Sequence, residues 1–370
     1  MKRFLSLLLS LLLLASLCAC AGSENRTEIT ENTVEDIING TFETPKNVIL
    51  IIGDGMGPND IEITEKYSSD CYPLGLILNK IPNNGFATTH SANNPVTDSA
   101  ASATALATGV KTNNGLIGKD PAGNDLKNVT EIAREQGKKV GIITNDTIYG
   151  ATPGAFSVHN ESRYNAKELV ADLLNFKPDV LIGANYDETK EFAEESDFLP
   201  FLCAKNLVEF DAALASDPKG TKPFLGFIES PEMTPSEELA KSVSFALDRL
   251  KNEKGFFLMI ESAGTDFYGH GNQIQGKMAG VVTLDRTVAA VLQFMQDNPD
   301  TLLIVTSDHE TGGVQLPKNN ETPTDQLFTT TDHTATPVRV FALGKGSEYF
   351  KNRTVDNTEI ARFLIDAVTE

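Results

Sequence analysis

The sequence predicts an α/β fold, a three-layer sandwich in which a central, mostly parallel sheet is flanked by helices. Two observations carry this expectation. Short β-branched and aromatic runs alternate with stretches of helical periodicity from residue 47 to residue 368, as repeated β–α units do. The runs are also apolar at consecutive rather than alternate positions, the pattern of strands buried on both faces.

At the amino terminus, Lys2 and Arg3 precede an apolar run from Phe4 to Leu17 that is short for a membrane-spanning helix, so residues 1–20 are expected to be a secretion signal. The signal ends Leu17-Cys18-Ala19-Cys20, which resembles the lipobox of bacterial lipoproteins. Cys20 is then the acylated residue, and the mature chain is exported and lipid-anchored at the extracytoplasmic face. Residues 21–45 are rich in Glu, Thr, Asn and Ser, a composition that predicts a flexible tether, with the folded domain over residues 46–370.

Within that domain the predicted strands are 47–52, 139–144, 179–183, 256–260, 302–306 and 338–343. Predicted helices cover 128–136, 166–175, 235–252, 281–296 and 357–368, several with Pro or Gly at their ends. The 370 residues, 40% of them apolar, suffice for a single large core. Acidic residues outnumber basic ones 51 to 31, a formal charge of -20, which argues against nucleic acid as a partner. It does not exclude a small anionic substrate, because bound cations can gather positive charge locally. Beyond the leader only Cys71 and Cys203 remain; pairing and simple burial are both open for them. Without a Cys-x-x-Cys pattern, any metal must be held by His and carboxylates.

Polar residues stand at or just past the carboxyl ends of the predicted strands: Asp54, Glu261, Asp308 and His309, with Thr152 a short loop beyond 139–144. Ligands of open α/β sheets bind at that edge, so these residues are expected to converge. The glycines of Gly53-Asp-Gly-Met-Gly57 suit a tight turn around a metal on Asp54 rather than a dinucleotide site, whose glycine spacing differs. Thr97, Asp98 and Ser99 open an Ala-rich helix that Gly109 is placed to end. One of the three is its N-cap, and the helix start favours an anion on or near Ser99. On a helix, Asp266 and His270 would share a face one turn apart, where they can bind one zinc ion. Asp308 and His309 are adjacent, so ligation by both needs a bend after Thr306, for which Gly312 and Gly313 are candidates. His333 precedes the last strand, whereas His90 and His159 lack carboxylate partners nearby in sequence and read as structural. Arg163 offers a planar fork for two phosphate oxygens.

These segments together resemble the bacterial alkaline phosphatases from about Asn47 to Gly344, most specifically in Val-Thr-Asp-Ser-Ala-Ala-Ser-Ala-Thr-Ala from Val96. The resemblance implies an alkaline-phosphatase-like fold and hydrolysis of phosphate monoesters through a phosphoserine on Ser99, with Arg163 gripping the phosphoryl oxygens. It implies two zinc ions, one on Asp266, His270 and His333, the other on Asp54, Asp308 and His309. A magnesium ion would take Asp54, Thr152 and Glu261, and homodimers are common in that family. Two departures stand out: Gly150 where the best-known pattern has an aspartate, and Phe267 where it has a lysine or histidine. Tyr268 beside it is a further candidate contact. The alternatives are a phosphodiesterase or phosphonate hydrolase of the same superfamily, against which Arg163 argues, and a non-catalytic metal- or phosphate-binding lipoprotein, against which Ser99 argues. No Cys/Ser-x-Pro-x-Arg motif supports a sulfatase.

Overall fold

A computed structural model describes residues 31–68, 75–193, 198, 200–318 and 321–370. The leader, Cys20 and Cys71 lie outside the described residues; Cys203 is a half-buried free thiol.

The strands are β1 Asn47–Gly53, β2 Asn83–Thr88, β3 Lys139–Thr147, β4 Val180–Ala184, β5 Leu202–Ala204 and β6 Phe224–Ile228. They continue with β7 Phe256–Ser262, β8 Thr301–Thr306, β9 Glu310–Thr311, β10 His333–Thr334, β11 Val338–Leu343 and β12 Thr354–Asp356. Ten form one sheet in the order β12-β2-β11-β8-β1-β7-β3-β4-β6-β5, and β9 and β10 make a small antiparallel ribbon. Within the large sheet only the pairings of β11 with β8 and β2 are antiparallel, so the sheet is mostly parallel as expected.

Helices cover both faces. Along β1, Val48, Leu50 and Ile52 pack into one layer with the helices Ser99–Thr108, Ala166–Phe176 and Asn357–Thr369. Ile49 and Ile51 pack into the other, with Glu238–Leu250 and Ile274–Asp297. All five side chains are fully buried, which is why this strand is an unbroken apolar run.

The six expected strands are all present, with small shifts at their ends. The other four strands of the large sheet, β2, β5, β6 and β12, carry weaker signals: β6 is short and interrupted by Gly226, and β2 (Asn-Asn-Gly-Phe-Ala-Thr) is only partly buried and correspondingly polar. The expected helix 281–296 starts earlier, at Ile274, and is buried on most of its surface. It is the one helix among the described residues long and apolar enough to cross a membrane, and it lies in the core.

The expected tether is corrected in part. Residues Glu31–Ile38 form a helix whose Val34 and Ile37 are buried in the core layer that contains the Ile274–Asp297 helix. Two apolar residues at i, i+3 give a short helix one sticky stripe, and Glu43 and Lys46 then bond to the carbonyls of Pro299 and Asp300. Folded structure therefore reaches back at least to residue 31, ahead of the expected boundary at Lys46.

Candidate functional site

Strands β8, β1, β7 and β3 are neighbours and run parallel. Their register aligns Ile52 with Glu261 and Thr306, and Glu261 with Thr144, so the apolar runs stop at one level. Asp54 follows β1, Glu261 lies near the end of β7, Asp308 and His309 follow β8, and Thr152 lies in the short helix Ala151–Ala155 after β3. All five thus collect at the carboxyl edge, as expected.

Gly55, with φ +69°, makes the turn after Asp54. A Cβ there would stand 2.6 Å from the Asp266 Cα, so only glycine lets this loop approach the Asp266 segment. The bend after β8 has a different origin from the one expected. Ser307 Oγ donates to the His309 carbonyl at 2.6 Å and accepts from Met56 N at 3.0 Å, while Asp308 Oδ1 accepts from Gly55 N at 3.1 Å. Gly312 and Gly313 come after β9 and turn the chain there instead.

Two ligand groups result, Asp266 with His270 and His333, and Asp54 with Asp308 and His309; within each, the ligand atoms lie within 4.8 Å of one another. Hydrogen bonds on the far side of each imidazole fix its tautomer. His270 Nδ1 lies 2.6 Å from the Thr331 carbonyl and His333 Nδ1 2.9 Å from the Thr97 carbonyl. A carbonyl can only accept, so both Nδ1 atoms carry hydrogen and both Nε2 atoms of the neutral rings are bare. These two Nε2 atoms face each other at 3.1 Å. Thr311 donates its single hydroxyl hydrogen to Asp266, so it accepts from His309 Nδ1 at 3.2 Å. His309 Nε2 is thereby bare as well, and it faces Asp308 Oδ2 at 3.1 Å, Ser99 Oγ at 3.2 Å and Asp54 Oδ1 at 3.5 Å. Lone pairs opposed to lone pairs and carboxylates repel unless a cation or a shared proton lies among them.

Without a cation, protons take its place: the rings that are bare when neutral hold hydrogen between themselves and the carboxylates. Burial, then the charges of Asp308, Asp266 and Glu261, push Asp54 far above the usual carboxylate range. Burial and the Asp146 charge push Glu261 up to about 7. Burial also acts to raise Asp266, but its hydrogen bond to His270 and the charges of the three histidines hold it far below. The same hydrogen bond raises His270 to about 9, and burial with the His309 charge lowers His333. Asp54 Oδ1, Asp308 Oδ2 and Thr152 Oγ1 are buried without a hydrogen-bond partner, although Thr152 stands close enough to Glu261 to favour its charged form. Buried acceptors of this kind, ringed by carboxylates and imidazoles, fit divalent cations.

The Ser99–Thr108 helix has Asp98 as its N-cap, accepting from Ala101 N at 2.9 Å, and Gly109 closes it in the left-handed region. The capping question thus falls to Asp98, and the Ser99 hydroxyl is left aimed at His309. The second oxygen of Asp98 accepts from Gly115 N at 3.0 Å and from Arg163 Nη1 at 3.2 Å, so one carboxylate orders both the helix start and the arginine. That second task of Asp98 was not anticipated from the sequence, and neither was the role of Thr311; the Thr-Asp-Ser triplet was the only hint. His159 bonds to Gly118 and Glu131, and exposed His90 lies 3.7 Å from Asp356; both stand outside the ligand groups. Tyr268 sends its hydroxyl to the Pro231 carbonyl at 3.2 Å and is 6% exposed, so it braces the core. Phe267 is 64% exposed.

A family model described as alkaline phosphatase matches residues 45–180 and 224–323. Alkaline phosphatase 4 of Bacillus subtilis strain 168 is 35% identical over 302 residues, covering 75% of this chain and 64% of that protein. Alkaline phosphatase 3 of the same strain is 30% identical over 354 residues, covering 85% and 71%. The chain thus spans about two thirds of the length of these relatives. The cold-active alkaline phosphatase of a psychrophilic Shewanella superposes with a TM-score of 0.78 at 27% identity, over 88% of this chain and all of that one. With its sheet, its two ligand groups and its serine helix in this arrangement, the chain belongs to the alkaline phosphatase family.

Proposed function

We propose that the protein hydrolyses phosphate monoesters through a phosphoserine on Ser99, with two zinc ions and one magnesium ion as cofactors. The observation that carries this reading is the placement of Ser99 Oγ, on the first residue of a helix and 3.2 Å from the bare Nε2 of His309. One zinc would be held by Asp266, His270 and His333, the other by Asp54, Asp308 and His309, and magnesium by Asp54, Thr152 and Glu261. When bound, these ions supply the positive charge that lowers the pKa of the Ser99 hydroxyl and neutralises phosphate oxygens.

Ser99 gives up its proton, and its oxygen attacks phosphorus as the ester oxygen leaves with the bonding pair and is protonated to the alcohol. The free N–H groups of the helix start favour the anion forming there. Arg163, held in place by Asp98, takes two non-bridging oxygens in its fork. Water then attacks the phosphoserine, phosphate departs, and Ser99 recovers its proton. Two in-line displacements retain configuration at phosphorus. A diester lacks one of the anionic oxygens the arginine grips, which favours the monoester.

The test is hydrolysis of a chromogenic phosphate monoester and the matching diester at alkaline pH, with and without chelator, by the protein and its Ser99→Ala variant. Chelator-sensitive monoester turnover lost in the variant supports the reading; diester preference, or silence towards both after zinc and magnesium are restored, overturns it. We also propose that the mature chain is exported and anchored through lipid on Cys20. Radiolabelled fatty acid should enter the protein and be lost in Cys20→Ser. Sedimentation would distinguish monomer from homodimer.

A further inference from the structure

Beside Thr152 and Glu261 stands a carboxylate that belongs to neither ligand group. Asp146 lies near the end of β3, where the register with β4 shifts between Ile143 and Thr147. Irregularities of this kind re-aim side chains near functional sites. Its backbone N–H donates to Thr144 Oγ1 at 2.8 Å, and that hydroxyl donates to Glu261 Oε2 at 2.5 Å. Four residues on, Gly150 offers no side chain, and a Cβ there would stand 3.2 Å from Asp146 Oδ2. The Asp146 carboxylate therefore covers the space that a side chain at position 150, two before Thr152, would enter. After burial, the Asp146 charge is the largest influence raising Glu261. The same corner holds the unpartnered Thr152 Oγ1 and Asp54 Oδ1, on residues 1% and 7% exposed.

Magnesium keeps several waters when protein ligands are few, and those waters need acceptors for their hydrogens. Asp146 is exposed to solvent, which suits contact through water rather than direct ligation. We infer that Asp146 is the outer carboxylate of the magnesium position, accepting hydrogen bonds from the waters around an ion held by Asp54, Thr152 and Glu261. This rests on the magnesium position proposed above. Arg163, Asp266 and Glu188 are its other charged neighbours, and pairing with Arg163 is the competing role.

The experiment is calorimetric titration of magnesium into the purified protein, loaded with zinc and stripped of magnesium, for the unaltered chain, Asp146→Asn and Asp146→Ala. Elemental analysis would count zinc, and inhibition by inorganic phosphate would report on Arg163. Either folded variant should bind magnesium about 10–100-fold more weakly, as loss of a partner behind the direct ligands typically causes, with zinc content and phosphate affinity unchanged. Magnesium affinity within twofold of the unaltered chain would overturn the inference. So would a loss of zinc, or weakened phosphate binding with normal magnesium binding. If the unaltered chain itself bound no magnesium, the magnesium position would fail first, and the role of Asp146 with it.

Discussion

Replacing Lys277 by methionine tests how the two loops that carry Asp54 and His309 are held. Lys277 is fully buried on the Ile274–Asp297 helix, and its ammonium lies 2.8 Å from Asp60 Oδ2 and 3.3 Å from the Gly55 carbonyl, with a third bond to the Thr311 carbonyl. It therefore ties the loop that carries Asp54 to the segment that follows His309. Lys277→Met fills much the same volume but leaves Asp60 buried with an uncompensated charge. Breaking one side of a buried ion pair costs about 3–5 kcal/mol. At roughly 2 °C per kcal/mol for a large domain, the melting temperature should fall by about 6–10 °C. The assay is thermal unfolding of chelated protein, with zinc titration alongside. Adding Asp60→Asn removes the stranded charge while keeping an acceptor for Gly57 N, now 2.8 Å from Asp60 Oδ2, and should recover at least half of the loss. A single variant melting within about 2 °C of the unaltered chain would refute the stranded-charge reasoning. A double variant no more stable than the single one would do the same.

Asp98→Ala removes both the cap on Ala101 and the arginine partner; it should cost about 1 kcal/mol in unfolding and weaken inhibition by inorganic phosphate, and unchanged inhibition would separate Arg163 from Asp98. Gly55→Ala forces a Cβ against Asp266 at positive φ, so zinc binding to both ligand groups should drop together, and normal zinc content would contradict the packing described. The chelated protein should lose stability as pH rises: Glu261 is raised to about 7 and His270 to about 9, so each favours folding below its ordinary pKa. That contribution fades through about pH 4.5–7 for Glu261 and about 6.5–9 for His270. Zinc and magnesium should flatten the profile, and a chelated protein equally stable at pH 5 and pH 9 would rule this out.

What the sequence determined by itself was chemistry and layering. A strand buried on both faces must be apolar along its length, so β1, β7 and β8 announce themselves, and polar residues at their ends are then conspicuous. The Thr-Asp-Ser helix start and the sparse histidines were legible for the same reason, being local patterns read within a few residues. The tertiary structure decided adjacency. The order β8-β1-β7-β3 follows no sequence order, yet it sets Asp308, Asp54, Glu261 and Thr152 side by side. It also decided orientation: which hydroxyl steers His309, which carboxylate serves both helix and arginine, which lysine clamps two loops, and that Val34 and Ile37 dock instead of trailing in a tether. Partners such as Lys277 with Gly55 and Thr311 with Asp266 lie 222 and 45 residues apart. No local propensity encodes such pairs, because their energy exists only once the sheet has closed and water has left the space between them.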